Sequence, residues 1–350
     1  MLDNSLRYKL KSDFVFLYDE EHVYIYNYKE EKILVKIKVP ESVRNAMKKI
    51  DGVMTIGEVL ETLDSKEEKL VCMIIEKYMD VFFERCNEDE TSGNVHDFLI
   101  KKYVQNNMGA FKKTAIEMIE VVKNAVSKSK IVIVGCGILG SDILSNILEF
   151  GIKNIVLVDC KKVTAFDSIW AVYTKGCIIG DDRKKVIKNA IEGIYSNINI
   201  ETYNTLEEIA HILDENTYCI VCEDNLNKEM LLYYNDKFLE SKSKWVSVYI
   251  DSEKISVGPT IIPNVTGCLN CSAASYEFPE NNGFSVSVPH GYKMASSILT
   301  YDLLNNICDV GDYLINDISV TLGKQFIVKL KGLEGYSNEL LIDPKCKCSE

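Results

Sequence analysis

The 350-residue sequence contains no run of about 18 apolar residues, so it predicts no membrane-spanning helix. Its first 12 residues also lack the apolar core of a secretory signal peptide, and we therefore expect a cytoplasmic protein. Basic residues are in deficit, because 40 Lys and Arg stand against 52 Asp and Glu and give a net charge of −12. A chain of this charge repels phosphate, so nucleic-acid binding is not expected.

Cysteine, in contrast, is plentiful, with 12 residues. In a chain without a signal peptide this number favours reduced thiols or metal ligands over a disulfide framework. Hydrophobic residues make up 47% of the sequence, which is enough for a sizeable core. The length is consistent with one to three domains.

Residues 1–86 predict a small domain of winged-helix type. Three segments rich in Val, Ile, Tyr and Phe between residues 14 and 39 are typical of short strands. Helices are predicted at residues 41–50 and 66–84, with a turn at Asp51-Gly52 before an intervening helix. Acidic residues outnumber basic ones in this region, so a peptide clamp is favoured over a DNA-binding domain.

The last of these strands, residues 31–39, alternates charged and apolar residues, which is typical of an exposed edge strand. A leader peptide can add beside such an edge as an extra strand. Ile33, Val35 and Ile37 are the side chains that we expect to contact the peptide. An ordinary dimerisation or packing domain is the alternative interpretation.

Residues 87–128 are expected to connect this domain to the next, beginning with a polar linker at 87–96. Strands and helices alternate through residues 129–350 and end with a helix at 292–308 and a strand pair within 317–330. The other strands are predicted at 130–134, 154–159, 198–203, 218–222, 244–251 and 254–262. This order predicts an α/β domain with a Rossmann-like, mostly parallel sheet.

The segment IVIVGCGILGSDILSNILEFGIKNIVLVDC begins that domain with a strand, a glycine turn, a helix and a second strand. Gly135, Gly137 and Gly140 fit the Gly-x-Gly-x-x-Gly pattern of nucleotide-binding loops. The helix N-terminus offers N–H groups to an anion, and Asp159 ends the strand where a carboxylate meets ribose hydroxyls. The pattern predicts a nucleotide site, and a glycine turn kept for packing alone is the alternative.

Two close cysteine pairs lie further along the chain, Cys268 with Cys271 and Cys346 with Cys348. Four thiolates on two turns suit a tetrahedral structural zinc ion. Such a site has no open position, so the metal would hold structure and take no part in catalysis. Four free thiols, one pair of them in a frayed tail, are the alternative.

With these motifs, about residues 100–350 resemble the ubiquitin-activating-like adenylating superfamily of ThiF, MoeB and HesA type. The layout is most similar to its peptide-modifying branch, which includes the microcin C adenylating enzyme and carries a small peptide clamp before the adenylating fold. The resemblance implies ATP and Mg²⁺ at the glycine loop, with Ser141 and Lys184 among the contacts. It also implies structural zinc on the two cysteine pairs and a homodimer.

Under this resemblance, Asp224 stands where the superfamily has its magnesium-coordinating acid, and Arg183 stands where it has a lysine. The superfamily's Asn and its phosphate-binding Arg fall on Asp167 and Trp170, so that a negative charge is gained and a positive one is lost. The fourth loop residue, usually Gly, is Ile138. Removing one contact of this kind costs about 2.7–4 kcal/mol of transition-state stabilisation. A weakened or inactive nucleotide site is therefore favoured.

Three hypotheses about function follow. The first is a maturation protein for a bacteriocin-type ribosomal peptide, which binds the leader of the precursor and presents the core to a partner enzyme such as a cyclodehydratase. The second is an active ATP-dependent peptide adenylyltransferase, in which Asp224 and Arg183 are the candidate catalytic residues. A nicotinamide-dependent dehydrogenase fits least, because the sequence offers no clear acid for hydride transfer and this function does not explain the cysteine pairs.

Overall fold

The computed structural model describes most of the chain, which divides by its contacts into two units. The described residues are 3–11, 14–27, 30, 32–86, 95–106, 115–195, 198–251, 253–271, 273–279, 289–307, 319–346 and 348. The first unit extends to Val121, and the second begins at Val122. Within the described residues, every helix is too short or too polar to cross a lipid bilayer.

The first unit contains two small antiparallel sheets and several helices. One sheet has the order β2–β3–β4, formed by Phe14–Tyr18, His22–Asn27 and Lys32–Lys38. The other has the order β5–β1–β6, formed by Asp51–Thr55, Arg7–Leu10 and Phe83–Cys86. The helices of this unit are α1 (Glu41–Met47), α2 (Ile56–Leu60), α3 (Ser65–Phe82) and α4 (Val95–Asn106), and the helix α5 (Ala115–Lys128) includes the boundary with the second unit. Capping boxes begin α2 and α3, which explains their sharp starts.

Two predictions for this unit are wrong. The turn expected at Asp51-Gly52 is the strand β5, which pairs with β1. The helix expected to reach residue 84 ends at Phe82, because Phe83 pairs with Leu10 and starts β6. These strands have only four or five residues, so their pattern in the sequence is too short to distinguish from helix ends and loops.

The connection predicted at residues 87–128 contains the two helices α4 and α5. Residues 87–94, which make up most of the predicted linker, lie outside the described residues. Residues 107–114, between the two helices, also lie outside them. The first residues of α4, Val95 and His96, were expected to belong to the linker.

The second unit is built on an eight-stranded sheet of order β14–β13–β12–β11–β10–β7–β8–β9. Its strands are β7 (Lys130–Val134), β8 (Asn154–Val158), β9 (Asn199–Tyr203), β10 (Thr217–Val221), β11 (Lys244–Ile250), β12 (Lys254–Ile261), β13 (Lys324–Lys329) and β14 (Glu334–Glu339). The pairs from β9 to β11 are parallel, and those from β11 to β14 are antiparallel. The predicted α/β fold with a mostly parallel sheet is confirmed.

The strand pair expected within residues 317–330 is displaced along the chain. It consists of β13 and β14, which are joined by a turn with Gly332 in the left-handed region at φ +88°. Residues 317 and 318 lie outside the described part of the chain. The sequence missed β14 because this strand lies at the edge of the sheet and is mostly exposed, so it carries no apolar alternation.

Helices pack against this sheet and position its carboxyl edge. They are α6 (Ile138–Glu149), α7 (Ala165–Trp170), α8 (Arg183–Ile194), α9 (Lys228–Glu240) and α10 (Pro289–Ile307). The helix α10 contacts α6, β11 and β12, whereas Phe238 of α9 packs with Trp245 and Val221 in a separate apolar cluster. The strands β7 and β8 are buried along almost their whole length, as expected for parallel strands covered on both faces.

The strand order reverses at the carboxyl end of β7, because β8 lies on one side of it and β10 on the other. Open α/β sheets bind ligands at such a reversal. Gly135 follows β7, Asp159 follows β8, and Asp224 comes shortly after β10. The fold therefore brings the sequence-predicted nucleotide residues to one edge of the sheet.

Candidate functional site

The glycine loop between β7 and α6 is shaped by close backbone contacts. Gly135 has φ +96°, and a Cβ at this residue would lie 2.7 Å from the Cα of Glu223. A Cβ at Gly140 would lie 2.1 Å from the carbonyl oxygen of Gly135. Both glycines are thus required by the packing of the loop itself, with or without a bound phosphate.

The second glycine of the loop, Gly137, lies against a carboxylate. It precedes α6, and a Cβ at this residue would lie 2.1 Å from Oδ1 of Asp224. A helix N-terminus normally attracts phosphate or another anion to this position. In this protein, a negatively charged side chain of the chain itself already lies at the start of α6.

Arg183, the first residue of α8, is bound by three carboxylates. Its Nη1 is 3.2 Å from Oδ2 of Asp159 and 2.9 Å from Oδ2 of Asp224, and its Nη2 is 2.7 Å from Oδ2 of Asp167. The side chains of Arg183, Asp159 and Asp167 are only 2–3% exposed. Burial lowers the pKa of Arg183, but the three carboxylates outweigh this effect and raise the pKa above its ordinary value. We call these four residues the Arg183 cluster.

Asp159, the predicted ribose contact, is engaged by the protein itself. Besides Arg183, its Oδ2 accepts a hydrogen bond from the backbone N–H of Cys136 at 2.7 Å. Its Oδ1 accepts one from the backbone N–H of Lys161 at 2.6 Å. Asp159 therefore links the glycine loop and the end of β8 to Arg183 at the start of α8. The hydroxyl groups of a ribose would have to compete with these donors for both carboxylate oxygens.

Asp167 does not add the unbalanced negative charge that the sequence suggested. It accepts hydrogen bonds from the backbone and hydroxyl of Thr164 in a capping box that starts α7, and Arg183 neutralises its charge. Trp170, at the position of the superfamily's phosphate-binding Arg, ends α7 and is 48% exposed. Compared with the superfamily pattern, the chain thus lacks a cation at residue 170 and has an ion pair between Asp167 and Arg183.

The lysines at this edge are also paired. Nζ of Lys161 is 3.6 Å from a carboxylate oxygen of Glu223 and 3.6 Å from one of Asp224. Lys184, the predicted cofactor contact next to Arg183, is buried, and its Nζ is 3.2 Å from Oδ1 of Asp182. Among the described residues around the loop, neither of these lysines offers an unpaired positive charge to a triphosphate.

Two further residues that the sequence singled out, Ile138 and Ser141, lie in the first turns of α6. Ser141 is fully buried, and its Oγ accepts a hydrogen bond from the backbone N–H of Tyr173 at 3.1 Å. Ile138 is the first residue of α6 and is partly exposed. The serine therefore braces the segment after α7.

A cavity of about 220 Å³ lies beside the Arg183 cluster, at the carboxyl ends of the parallel strands. Its lining includes Val134, Val158, Asp159, Lys161, Leu206, Glu207, Glu223, Tyr233 and Tyr234. Tyr233 donates a hydrogen bond to Glu207, and Tyr234 donates one to Glu223. Burial together with Glu207 raises the pKa of Tyr233 to about 12, so this donor stays protonated. The cavity therefore lies where the sequence predicts the nucleotide, at the carboxyl ends of β7 and β8.

The four cysteines predicted as zinc ligands come together in the second unit. The sulfur of Cys268 is 3.7 Å from that of Cys271 and 3.6 Å from that of Cys346, and the sulfurs of Cys271 and Cys348 are 3.1 Å apart. Zinc with bonds of about 2.3 Å to four sulfurs places them about 3.8 Å apart, so small shifts make these residues fit the ion. Among the described residues, this quartet is the group of potential ligands gathered closely enough to hold a metal.

The quartet joins the C-terminal end of the described chain to the loop after β12. A backbone hydrogen bond also joins the two segments, because the N–H of Asn264 donates to the carbonyl oxygen of Cys348 at 3.2 Å. Burial raises the pKa of Cys268 to about 11, whereas hydrogen bonds outweigh burial at Cys271 and lower its pKa to about 7. A bound cation would favour the thiolate form of all four residues and would hold the two segments together.

In the first unit, the predicted peptide-contacting residues divide between the two faces of β4. Val35 and Ile37 pack against the core of the unit. A register shift places Ile33 opposite Tyr26, and Ile33 is 53% exposed. The alternating pattern predicts that all three side chains share one face of the strand. The bulge adds one residue to the strand and reverses the face of Ile33, and no sequence pattern marks its position. In the described residues, β4 is an edge strand that pairs with β3.

A group of exposed apolar side chains follows β8, and the sequence analysis did not identify it. We call it the α7 patch; it comprises Phe166, Ile169, Trp170, Val172, Ile178 and Ile179, which are 38–74% exposed. The backbone of this segment is braced, because Gly176 N–H donates to Ser168 O at 2.8 Å and Ser168 Oγ donates to Cys177 O at 3.0 Å. Contiguous exposed apolar patches larger than a few hundred Å² mark interaction surfaces, whereas single exposed apolar residues are common.

Comparisons with known proteins identify the family of the chain and solved structures that share its fold. No curated protein matches the chain by sequence. Escherichia coli MccB, solved with AMPCPP and SeMet MccA, matches with a TM-score of 0.63 and 15% identity over 98% of this chain and 99% of that one. The microcin C7 biosynthetic enzyme MccB in complex with N-formylated MccA gives the same values. PaaA matches with a TM-score of 0.60 and 16% identity over 94% of this chain and 99% of that one.

At these identities the structural likeness shows the fold. That fold is the one that the predicted resemblance to the ThiF, MoeB and HesA type implies. The sequence itself matches the model of the ThiF family over residues 112–291, which is more than half of the chain. The protein therefore belongs to the ThiF family.

Proposed function

We propose that this protein binds the leader of a ribosomally made, bacteriocin-type precursor peptide and presents the core to a partner modifying enzyme of cyclodehydratase type. In this role the protein does not use ATP itself. The observation that carries the proposal is the Arg183 cluster, in which a buried guanidinium already binds the carboxylates expected to serve ribose and Mg²⁺. The fold shared with MccB, which has been solved with the peptide MccA, supports a peptide as the ligand.

The energetics of the cluster argue against nucleotide binding. A triphosphate at the glycine loop would meet the carboxylate of Asp224 beside Gly137. To make room, the complex would have to break the contact between Asp224 and Arg183, and a hydrogen bond to a charged group contributes about 1.5–3 kcal/mol. A loss of that size weakens binding by about ten- to hundredfold. We therefore expect no ATP binding in the micromolar range.

The peptide site is proposed at the free edge of β4. An added strand takes main-chain hydrogen bonds from such an edge, and exposed side chains next to it supply selectivity. Ile33 is the predicted contact that is exposed, whereas Val35 and Ile37 contribute to the core. Substitution of Val35 or Ile37 would disturb folding, so a test of binding must use Ile33.

Ile33→Asp is expected to weaken leader binding more than tenfold, about 1.4 kcal/mol, because it places a charge against the added strand. Leu17→Asp is the matched control, since Leu17 is 43% exposed on β2, the opposite edge of the same sheet. Fluorescence anisotropy with labelled peptides encoded beside the gene measures both variants. The edge assignment is wrong if Leu17→Asp weakens binding and Ile33→Asp does not.

The alternative is an active peptide adenylyltransferase. The observation in its favour is Asp224, which keeps 33% exposure of its side chain at the glycine loop. The two functions differ in one measurement, the release of pyrophosphate from Mg²⁺–ATP in the presence of the peptide. We expect none; release that depends on the peptide and is abolished by Asp224→Asn would establish the enzyme instead.

We also propose that the protein forms a homodimer through the α7 patch, since pairing would cover these apolar side chains. Light scattering at tens of micromolar is expected to give twice the chain mass of 39.7 kDa. The double variant Ile169→Glu/Ile178→Glu should shift the mass to that of one chain, whereas Ile194→Glu, an equally exposed apolar position on α8, should not. A monomeric wild-type protein at this concentration would contradict the proposal.

A further inference from the structure

We infer that β4 selects its peptide by charge: Lys36 pairs with a carboxylate of the leader, and Ile33 contacts an apolar side chain two residues away from that carboxylate. The inference rests on the proposed function, because it takes the addition of a leader strand beside β4 as given. It adds the chemistry of the peptide that this edge accepts. The partner is a leader segment in which one acidic and one apolar residue flank a single residue between them.

The first argument is the face of the sheet on which these two side chains lie. In the pairing of β4 with β3, Lys36 is opposite Tyr24. Ile33 is opposite Tyr26, which lies two residues further along β3. Residues directly opposite each other on neighbouring strands share a face, so Lys36 and Ile33 both lie on the outer face. Val35, between them, packs against the core.

The second argument is the spacing of Ile33 and Lys36. They are three residues apart in the sequence, but their partners on β3 are two residues apart, because the bulge adds one residue to β4. Along the strand the two side chains are therefore separated by about 7 Å, the length of two residues of a regular strand. A leader strand without a bulge matches them with residues i and i+2, which point to the same face.

The third argument is the charge along β4. The strand, KILVKIK, contains three lysines and no acid, in a chain whose net charge is −12. The lysines at its two ends already pair with acids of the chain, Lys32 with Glu30 and Lys38 with Glu21. Lys36 lies between them, is exposed and forms no ion pair with a carboxylate of the described residues. It is therefore the lysine of this strand that is available to a carboxylate of the peptide.

Lys36 is also held in position on the outer face. Its Nζ lies 5.4 Å from the centre of the Tyr24 ring, and an ammonium is attracted to the face of such a ring. The hydroxyl of Tyr24 donates a hydrogen bond to Asp19, which fixes the orientation of the ring. An acidic residue opposite Lys36 on an added strand would have its Cβ about 5 Å from that of the lysine. It would thus meet a positive charge that is already in place.

Lysines on an edge strand also have a general role, because they discourage pairing with unrelated strands. The two explanations differ in the effect that they predict for Lys36→Thr. If Lys36 only guards the edge, this substitution should strengthen the binding of any peptide. If Lys36 selects an acid, it should weaken the binding of the leader, and we expect this second result.

The test is an exchange of charge between the full-length protein and the peptide, measured by fluorescence anisotropy. The probes are the labelled leader of the precursor encoded beside the gene and variants of it in which each Asp or Glu is replaced in turn by Lys. We expect Lys36→Glu to weaken binding of the unchanged leader about fivefold, or about 1 kcal/mol, as opposite charges across two strands allow. One Lys-substituted leader should instead bind Lys36→Glu about fivefold more tightly than it binds the wild type. In that leader, a residue two positions from the substitution should be apolar.

Lys48→Glu is the matched control. Nζ of Lys48 lies 5.2 Å from the centre of the ring of Tyr18, a residue of β2 at the opposite edge of the same sheet. The variant therefore makes the same change of charge beside a tyrosine, and it should bind the leader as the wild type does. Both lysines are exposed, so both variants should keep the thermal midpoint of the wild type.

Equal weakening by Lys48→Glu, or the absence of a Lys-substituted leader that prefers Lys36→Glu, would overturn the inference and leave the proposed function standing. Tighter binding of the unchanged leader by Lys36→Thr would identify the lysine as a guard of the edge and would also overturn the inference. Failure of the wild type to bind the leader at all would overturn the proposed function, and the inference with it.

Discussion

Protein purified without added zinc is expected to carry about one zinc ion per chain, and Cys268→Ser is expected to remove it and to unfold the C-terminal region. Cys268 is fully buried and its sulfur is close to those of Cys271 and Cys346. Structural zinc sites contribute directly to folding free energy, and three remaining ligands bind the ion less tightly. Elemental analysis and the thermal midpoint measure the two effects.

Cys160→Ser is the matched control, because Cys160 is exposed and outside the quartet. It should keep both the zinc and the melting temperature of the wild type. A chelator should reproduce the effect of Cys268→Ser in the wild type and change that variant little further. Wild-type protein with almost no metal and four titratable thiols at these positions would contradict the zinc assignment.

The second large effect is expected for Arg183→Met, which should lower the free energy of unfolding by about 3–5 kcal/mol. The substitution keeps most of the side-chain volume but leaves Asp159 and Asp167 buried without their cation. Lys161→Met removes a neighbouring positive charge that is 36% exposed, and it should cost about 1 kcal/mol or less. Urea denaturation of the three proteins measures the difference.

A double variant separates the loss of the ion pair from the loss of packing. Asp167→Asn in the Arg183→Met background removes one buried charge and should recover part of the stability. The same change in the wild-type background should destabilise, because it weakens the contact with Arg183. If Arg183→Met is as stable as the wild type, the guanidinium contributes nothing to the fold and its position has another explanation.

The elements that the sequence predicted well are those with long or repeated patterns. Five of the six strands from β7 to β12 have buried apolar runs, β9 being the exception, and the spacing of the cysteine pairs predicts the quartet. The glycine pattern located the turn after β7 for the same reason. In each of these cases, neighbouring residues in the sequence are sufficient to specify the local structure.

The features that the sequence missed depend on residues that are distant along the chain. Nothing near Arg183 indicates that it would bind Asp159 and Asp224, because these partners are brought together only by the parallel strand order. The bulge that turns Ile33 outward is likewise set by pairing with β3. The sequence shows which residues carry a charge, and the tertiary fold determines which of these charges form ion pairs.

The cysteine quartet has a topological consequence. Its two pairs are separated by a long stretch of chain that includes α10, β13 and β14. With a metal in place, this stretch becomes a closed ring, which has less conformational freedom in the unfolded state than an open chain of the same length. A single cut within the ring would therefore leave two fragments tethered to each other through the metal, and they would separate only when a chelator opened the ring.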